Sequence, residues 1–263
     1  MITLWERRAR TFRSWPVHAN LMADLNSSQA QVAGFDLVAY QAAHIVMVGA
    51  GGIGSHVAAA LLRKGIGRLT LLDDDRVERK NLTRQLFSRH DVGKYKAVRL
   101  GRQLARNGLF RSTIHAHPRR FQELVERGQH LTNASVFICG VDNNPTRRAV
   151  TAYALAHDVV VIHAAVSRDG NQLYVMVQKP REACWGCAFP HYLNDTAYPC
   201  NLPGIIDVLQ VVAGLIVFTV DTLICGRPRA WNVRHVYLDG SVPERARKIE
   251  RRLDCGVCGD PAG

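Results

Sequence analysis

Short apolar runs alternate with amphipathic stretches through the middle of the chain. The run 43–48 ends in a glycine cluster, and an apolar-periodic stretch at 53–64 and a second run at 68–73 follow it. This order indicates a strand, a tight turn, a helix and a strand. The alternation continues to residue 163, with a helix expected over 119–130. The pattern predicts an α/β fold with a doubly wound, mostly parallel sheet.

After residue 163 the regular alternation of apolar strands and amphipathic helices stops. Half-buried strands are expected at 171–178 and 231–239, and they predict an antiparallel extension of the sheet. The apolar run 204–226 is long enough to span a bilayer, but Asp207, Gln210 and Asp221 interrupt it and would be costly in lipid. We therefore expect a buried helix, with a second subunit as one surface against which it could pack.

These patterns divide the chain into three parts. A helical or arm-like segment is expected at 1–42 and a nucleotide-binding part at 43–178. Residues 179–263 form the C-terminal part of the same domain, with a turn-rich loop at 179–203 ahead of the apolar helix.

The composition is that of a folded globule, but the charge is biased. Of the 263 residues, 47% are apolar and 21% are charged, and the formal net charge is +12. This charge favours phosphates, nucleic acid or an acidic protein surface without choosing among them. Basic clusters at 119–120, 147–148 and 245–252 are expected on solvated helix faces. The start of the chain offers no continuous apolar stretch for export, so we expect a cytoplasmic protein without a membrane partner.

A glycine loop provides the first candidate chemistry. The run Gly49 to Gly54 fits G-x-G-x-x-G directly after a strand and at the start of a helix. Glycines let the backbone approach phosphates, and the helix N-terminus offers unpaired amides. Asp73, about 20 residues further on, could accept hydrogen bonds from ribose hydroxyls. These features predict a nucleotide site and fit an NAD-dependent oxidoreductase equally well.

The residues after the second strand are more specific. The segment 73–85 holds acids, cations and amides, 92–96 reads V-G-K-Y-K, and Asp142-Asn143 follows a later strand. The set G-x-G-G-x-G, D-x-D-x-V, N-L-x-R-Q, V-G-x-x-K and D-N is similar to the adenylation domain of the ThiF/MoeB/HesA family of ubiquitin-activating-enzyme-like adenylyltransferases. The resemblance extends from about Ala43 to Cys258.

The resemblance implies ATP- and Mg²⁺-dependent adenylation of the C-terminal carboxylate of a ubiquitin-like or sulfur-carrier protein with a glycine tail. It implies that Asp73 holds the ribose, that Arg84 and Lys96 contact the phosphates, and that Asp142 binds magnesium. Neighbouring side chains, among them Asn81 and Gln85, would support this network. The implied nucleotide-binding set is Gly49, Gly51, Gly52, Gly54, Asp73, Asp75, Asn81, Arg84, Gln85, Lys96, Asp142 and Asn143.

One family feature is missing. Relatives often begin with an R-Y-x-R-Q stretch whose arginine reaches the nucleotide site of the partner subunit, and no such stretch precedes Ala43. Arg8, Arg10 and Arg13 are the candidates to replace it. A homodimer is expected from the family.

Four cysteines form two Cys-x-x-Cys pairs, Cys184 with Cys187 and Cys255 with Cys258. Four thiolates match a closed tetrahedral zinc site, which would be structural, and a redox pair is the alternative. Cys200, just ahead of the apolar helix, is either an inert cysteine or a nucleophile that forms a thioester or persulfide.

Two other functions stay open on the sequence. One is adenylation of a carboxylate on a modified tRNA or a small peptide, for which the net charge of +12 is an argument. The other is a different class of protein, an NAD-dependent oxidoreductase or an inactive nucleotide-binding scaffold.

Overall fold

The structure is a computed structural model that describes residues 8–15, 19–193 and 204–259. In this part of the chain, strands from the whole length of the sequence join one sheet, in the order β1-β4-β3-β2-β5-β6-β7-β8-β9. The strands are β1 Arg10–Ser14, β2 His44–Val48, β3 Arg68–Leu72, β4 Ser112–His117, β5 Val136–Cys139, β6 Val161–Val166, β7 Gln172–Gln178, β8 Val233–Tyr237 and β9 Arg245–Arg247.

The centre of the sheet is parallel and its margins are antiparallel. Strands β4, β3, β2, β5 and β6 are parallel neighbours. Strand β1 pairs antiparallel with β4, and β7, β8 and β9 continue antiparallel from β6. The predicted Rossmann-like α/β fold is confirmed, and the predicted antiparallel extension is present at the C-terminal side.

Helices cover both faces of the sheet. One hydrophobic core joins the sheet to α3, α4 and α8, and a second joins the opposite face to α5 and α6. The helices are α1 Ala19–Ala30, α2 Leu37–Ala42, α3 Gly52–Arg63, α4 Lys96–Asn107, α5 Phe121–Glu126, α6 Asn144–Ala156, α7 Trp185–Ala188 and α8 Ile206–Ile224. Because β2 and β5 at the middle of the sheet are covered on both sides, they are almost continuous apolar runs rather than alternating ones.

Helix α8 is the long apolar helix expected at 204–226. By length and composition alone it could cross a membrane, but 56% of its most apolar window is buried against the rest of the chain. It packs on α3 and on strands β6 and β7. Its buried Asp221 accepts hydrogen bonds from the Tyr40 hydroxyl and from Lys64 Nζ, the latter at 2.5 Å. A buried carboxylate needs such partners, so the acid that interrupts the apolar run joins α8 to α2 and α3.

Several elements differ from the sequence prediction. The N-terminal part, expected to be helical or arm-like, contributes β1 to the sheet besides α1 and α2. The helix expected over 119–130 is limited to α5, and the basic cluster at 245–252 begins with strand β9 instead of a helix. The edge strands were missed because neither has the apolar pattern of a buried strand: RTFRS in β1 has one large apolar residue, and RAR in β9 has none.

Candidate functional site

The glycine loop between β2 and α3 is shaped by close backbone contacts. Gly49 has a φ of +98°, a conformation that L side chains rarely adopt. A Cβ on Gly54 would lie 1.9 Å from the carbonyl oxygen of Gly49, and one on Gly52 would lie 2.8 Å from Leu209 Cδ1 of α8. Gly49 and Gly54 are therefore required by the turn itself, whereas Gly52 allows close packing of the Leu209 side chain.

Gly51 differs from the other glycines of the loop. It is the N-cap residue of α3, and no side chain caps the helix there. A Cβ on Gly51 would meet only Gln85 Nε2, at 3.6 Å. The first amides of α3 thus face space that a phosphate could enter, where the helix dipole favours negative charge.

Replacing Gly51 with alanine should weaken ATP binding. The space beside Gly51 admits a methyl group, but its backbone, at φ −83° and ψ −140°, lies outside the regions that L residues favour, so the loop would have to shift. We expect about a tenfold loss of ATP affinity together with a small decrease in stability. Calorimetric titration with Mg-ATP measures the affinity, and thermal unfolding measures the stability. Gly214→Ala, on α8 where nothing lies within 4 Å, is the matched control. Unchanged ATP affinity in Gly51→Ala would contradict a phosphate site here.

Asp73 follows β3 and contacts the glycine loop. Its Oδ2 accepts the Ala50 amide at 2.7 Å and its Oδ1 accepts the Asp75 amide at 2.9 Å. Burial raises the pKa of Asp73 to about 6, although Lys96 and the two amides act in the opposite direction. A buried carboxyl group whose pKa is raised, and which is hydrogen-bonded to a glycine loop, is typical of a binding site.

Lys96 begins α4 and points into the same crevice. It is 7% exposed, and its Nζ donates to Asp75 Oδ2 at 2.8 Å. Burial lowers the pKa of Lys96, but the charges of Asp73, Asp75 and Asp142 outweigh that effect and raise it above its ordinary value. The structure therefore brings a buried ammonium group within electrostatic range of three predicted site acids.

The segment after β3 supplies the amides and the arginine. Gln85 is buried, and its Oε1 has no hydrogen-bond partner within the described part of the chain. Asn81 accepts the Glu78 amide at 2.9 Å and caps the short 3-10 helix Arg79–Asn81, a structural task. The Arg84 side chain is partly exposed, and no ion pair with it occurs in the ranges 8–15, 19–193 and 204–259. Gln85 Oε1 and the Arg84 guanidinium are thus polar groups of this segment that stay available to a ligand.

Asp142 and Asn143 lie at the carboxyl end of β5, beside the glycine loop. The Asp142 side chain is exposed to the crevice side, and Asn143 caps α6 by accepting the Thr146 amide at 2.9 Å. Because β2, β3 and β5 are parallel neighbours, their carboxyl ends place the glycine loop, Asp73 and Asp142 at one edge of the sheet. The three groups follow separate apolar runs in the sequence, and the parallel order of the strands brings them together.

Sequence reasoning missed Arg147, which was expected on a solvated helix face. It is buried, and its Nη2 donates to the carbonyl of Val141 and, at 2.9 Å, to that of Ala164. Arg147 therefore ties the backbone that precedes Asp142 to the neighbouring strand β6. The sequence does hold one indication of this burial: Arg147 is spaced three, four and seven residues from Val150, Thr151 and Ala154, which form the buried face of α6.

The four paired cysteines form a buried cluster. Their sulfur atoms all lie within 4.8 Å of one another. The Sγ distances are 3.9 Å for Cys184 to Cys187, 3.6 Å for Cys184 to Cys255 and 3.4 Å for Cys187 to Cys258. The cluster joins the loop after β7 to the C-terminal turn, and its composition and geometry suit a metal ion.

The three candidate arginines of the N-terminal part lie away from the crevice of their own chain. Arg10 and Arg13 lie on β1, beyond β4 at the margin of the sheet, and Arg8 lies two residues before the start of that strand. Cys200 lies outside the described residues.

The parallel sheet, the glycine loop at its carboxyl edge and the acids around it define a nucleotide-binding α/β protein. The sequence pattern of the ThiF family matches residues 26–256, and the chain belongs to that family. The chain is 31% identical over 235 residues to a sulfur carrier protein adenylyltransferase of Thermus thermophilus, covering 83% of each chain. It is 26% identical over 235 residues to the molybdopterin-synthase adenylyltransferase of Escherichia coli, covering 86% of this chain and 92% of that one.

A solved structure shares the fold. Escherichia coli MccB with ATP matches at a TM-score of 0.70 and 23% identity, covering 85% of this chain and 68% of that chain. The predicted family and the predicted adenylyltransferase class are confirmed, and the relatives favour this class over an NAD-dependent oxidoreductase.

Proposed function

We propose that this ThiF-family adenylyltransferase transfers AMP from ATP to the C-terminal carboxylate of a ubiquitin-like or sulfur-carrier protein. The name of the Thermus thermophilus relative, a sulfur carrier protein adenylyltransferase, supports the acceptor class. The observation that carries the proposal is the crevice itself, where Lys96 and Asp73 lie beside a glycine loop with uncapped helix amides.

The chemistry requires charge neutralisation more than proton transfer. A carboxylate oxygen of the acceptor forms a bond to the α-phosphorus while the bond to the departing pyrophosphate breaks. The attacking carboxylate is already ionised near neutral pH, so no general base is needed. Lys96, the α3 amides and Arg84 would stabilise the negative charge that spreads over the phosphate oxygens.

Magnesium and ATP belong to this proposal. Asp142 would hold the ion, because an exposed carboxylate at the end of β5 offers the oxygen ligand that Mg²⁺ prefers and leaves room for water and phosphate oxygens. When bound, the ion would reduce the repulsion between the acceptor carboxylate and the triphosphate. Asp73 would accept hydrogen bonds from the ribose, as the acid after the second strand does in doubly wound nucleotide sites.

Zinc is the metal that we propose for the four cysteines. A tetrahedral site with zinc to sulfur distances of about 2.3 Å places neighbouring sulfur atoms about 3.8 Å apart. The Sγ distances of 3.4, 3.6 and 3.9 Å are close to that value. Four sulfur ligands leave no open position, so the zinc would stabilise the fold and take no part in adenylation.

A homodimer and a cytoplasmic location complete the proposal. Helix α8 leaves Val211 and Phe218 exposed on its outer side, where a second copy of the chain would bury them. A cytoplasmic location would provide ATP and keep the cysteines reduced.

Exchange of labelled pyrophosphate into ATP tests the acceptor. We expect Mg-ATP and a sulfur-carrier protein ending in Gly-Gly to support exchange, because adenylation is reversible. The same carrier with an amidated C-terminus is the control and should give none. Exchange supported equally well by the amidated carrier would contradict activation of the C-terminal carboxylate. Exchange supported by a short peptide or by tRNA, and not by carrier proteins, would favour the alternative acceptors instead.

A further inference from the structure

The two strands at the N-terminal margin of the sheet carry a polar stripe on one face. Strand β1 pairs with β4 so that Thr11 lies opposite His115 and Arg13 opposite Thr113. Because side chains alternate across a strand, these residues share a face with Trp15, Arg111 and His117. We call this surface the β1–β4 stripe, and its members are Thr11, Arg13, Trp15, Arg111, Thr113, His115 and His117.

The opposite face of the same strands is apolar. Phe12, Ile114 and Ala116 face the core, and α4 packs on them, with Gly101 of α4 close to Phe12. The stripe is on the side away from α4. Thr11, Arg13, Trp15 and Arg111 are exposed. The alternation is thus that of an antiparallel margin with one face toward the solvent.

The stripe is positively charged and contains no acid. Arg68 at the start of β3 lies opposite Thr113 and adds a third arginine beside Arg13 and Arg111. No ion pair with these three arginines is found among the residues that the structure describes. Burial and the charges of Arg68 and Arg13 lower the pKa of His115. The neighbouring histidine therefore responds to the positive potential of this surface.

One end of the stripe forms a cavity with an aromatic wall. The cavity has a volume of about 230 Å³ and is lined by Arg13, Ser14, Trp15, Arg111, Ser112 and Thr113. Trp15 is 55% exposed, and the Arg111 guanidinium lies 5.0 Å from the centre of its ring. The hydroxyls of Ser14 and Ser112 already donate to backbone carbonyls, so the charged donors available to a ligand are the arginines.

We infer that the β1–β4 stripe, together with Arg68, binds a single strand of nucleic acid, with phosphates at the arginines and a base against Trp15. A positively charged groove with an exposed aromatic ring is the combination by which proteins bind single strands. An acidic protein partner fits less well, because protein interfaces have an apolar core and Trp15 is the one large apolar side chain in the stripe.

The arginine end of this surface is separate from the adenylation crevice. Arg111 precedes the first residue of β4, whereas the glycine loop, Asp73 and Asp142 lie at the carboxyl ends of the parallel strands. Only His117, at the other end of the stripe, reaches that edge, where its carbonyl accepts the Asp73 amide at 3.3 Å. A strand bound at the arginines and Trp15 would therefore leave the crevice free. The inference does not depend on the identity of the adenylated acceptor.

Fluorescence anisotropy with the full chain and a labelled uridine oligomer of about twelve nucleotides tests the inference. Three neutralised phosphates predict that the logarithm of the association constant falls with the logarithm of salt concentration with a slope of about −2. The variant R13Q/R111Q should bind at least about tenfold more weakly and reduce the magnitude of that slope by about 1.4. Trp15→Ala should weaken binding about tenfold, and Trp15→Phe should restore most of the loss because it keeps an aromatic ring.

The matched control is R245Q/R247Q, which removes the same charge from exposed positions on β9 at the other margin of the sheet. It should leave oligomer binding almost unchanged. An equal loss in both double variants would overturn the inference, because binding would then depend on net charge alone. Equal binding of polyglutamate that is insensitive to Trp15→Ala would also overturn it, in favour of an acidic protein. Binding of a uridine or a thymidine oligomer at least tenfold above that of a duplex of the same length would support it.

Discussion

Replacing Asp142 with alanine is expected to reduce carrier-dependent exchange of pyrophosphate into ATP by about 10²- to 10³-fold. The carboxylate stands at the end of β5 within electrostatic range of Lys96, where the proposed magnesium would neutralise the triphosphate. Without it, the acceptor carboxylate would approach an uncompensated anion. The fold should persist because the Asp142 side chain is exposed. Exchange rates measured over a range of magnesium concentrations, together with thermal unfolding, check both statements.

Asp74→Ala is the matched control for this variant. Asp74 is also an acid at the carboxyl edge of the sheet, but it pairs with Arg120 Nε at 3.0 Å and is not a member of the predicted site. We expect it to retain exchange within about threefold, since surface ion pairs contribute little. If Asp74→Ala lost as much activity as Asp142→Ala, the effect would come from the general negative charge of this edge. Full activity in Asp142→Ala would remove Asp142 from the site.

Replacing Cys187 with serine is expected to remove the bound metal and destabilise the protein. Protein purified without chelators should contain about one zinc ion per chain, and the variant less than about a tenth of that. The binding free energy of a structural zinc ion contributes to folding, so the melting temperature should fall by roughly ten degrees or more. Elemental analysis and thermal unfolding measure the two effects.

Cys225→Ser is the control, because Cys225 is a partly exposed cysteine after α8 and not a member of the four-sulfur cluster. It should keep the metal and most of the stability. Wild-type protein that contains no zinc, with Cys184 and Cys187 joined in a disulfide, would instead support the redox alternative.

Local patterns were sufficient to predict much of the crevice. Gly49, Asp73 and Asp142 each follow an apolar run, and parallel strands that end at one edge bring such residues together. Lys96 at the start of α4 was predicted only through the family resemblance. Its burial among acids depends on distant strands and does not appear in the sequence pattern around it.

The remaining features depend on contacts between distant residues. Arg147 is buried because the carbonyls of Val141 and Ala164, from two strands, accept its guanidinium, and a basic pair in a helix does not reveal this. Strand β1 forms because β4 offers it a free edge, while its own sequence holds a single inward apolar residue, Phe12. For Asn81 and Asn143, the family motif alone does not distinguish a binding role from a structural one. Each side chain already accepts a backbone amide hydrogen bond and caps a helix in its own segment.

The contact between Gly52 and Leu209 has a consequence for how this protein can vary. Leu209 Cδ1 lies 2.8 Å from where a β-carbon on Gly52 would be, so the two positions compete for the same space. A larger residue at 52 requires the Leu209 side chain to turn away or a smaller residue at 209. The first turn of the nucleotide-loop helix and the first turn of the long apolar helix are thus structurally coupled, although 157 positions of sequence separate them (209 minus 52).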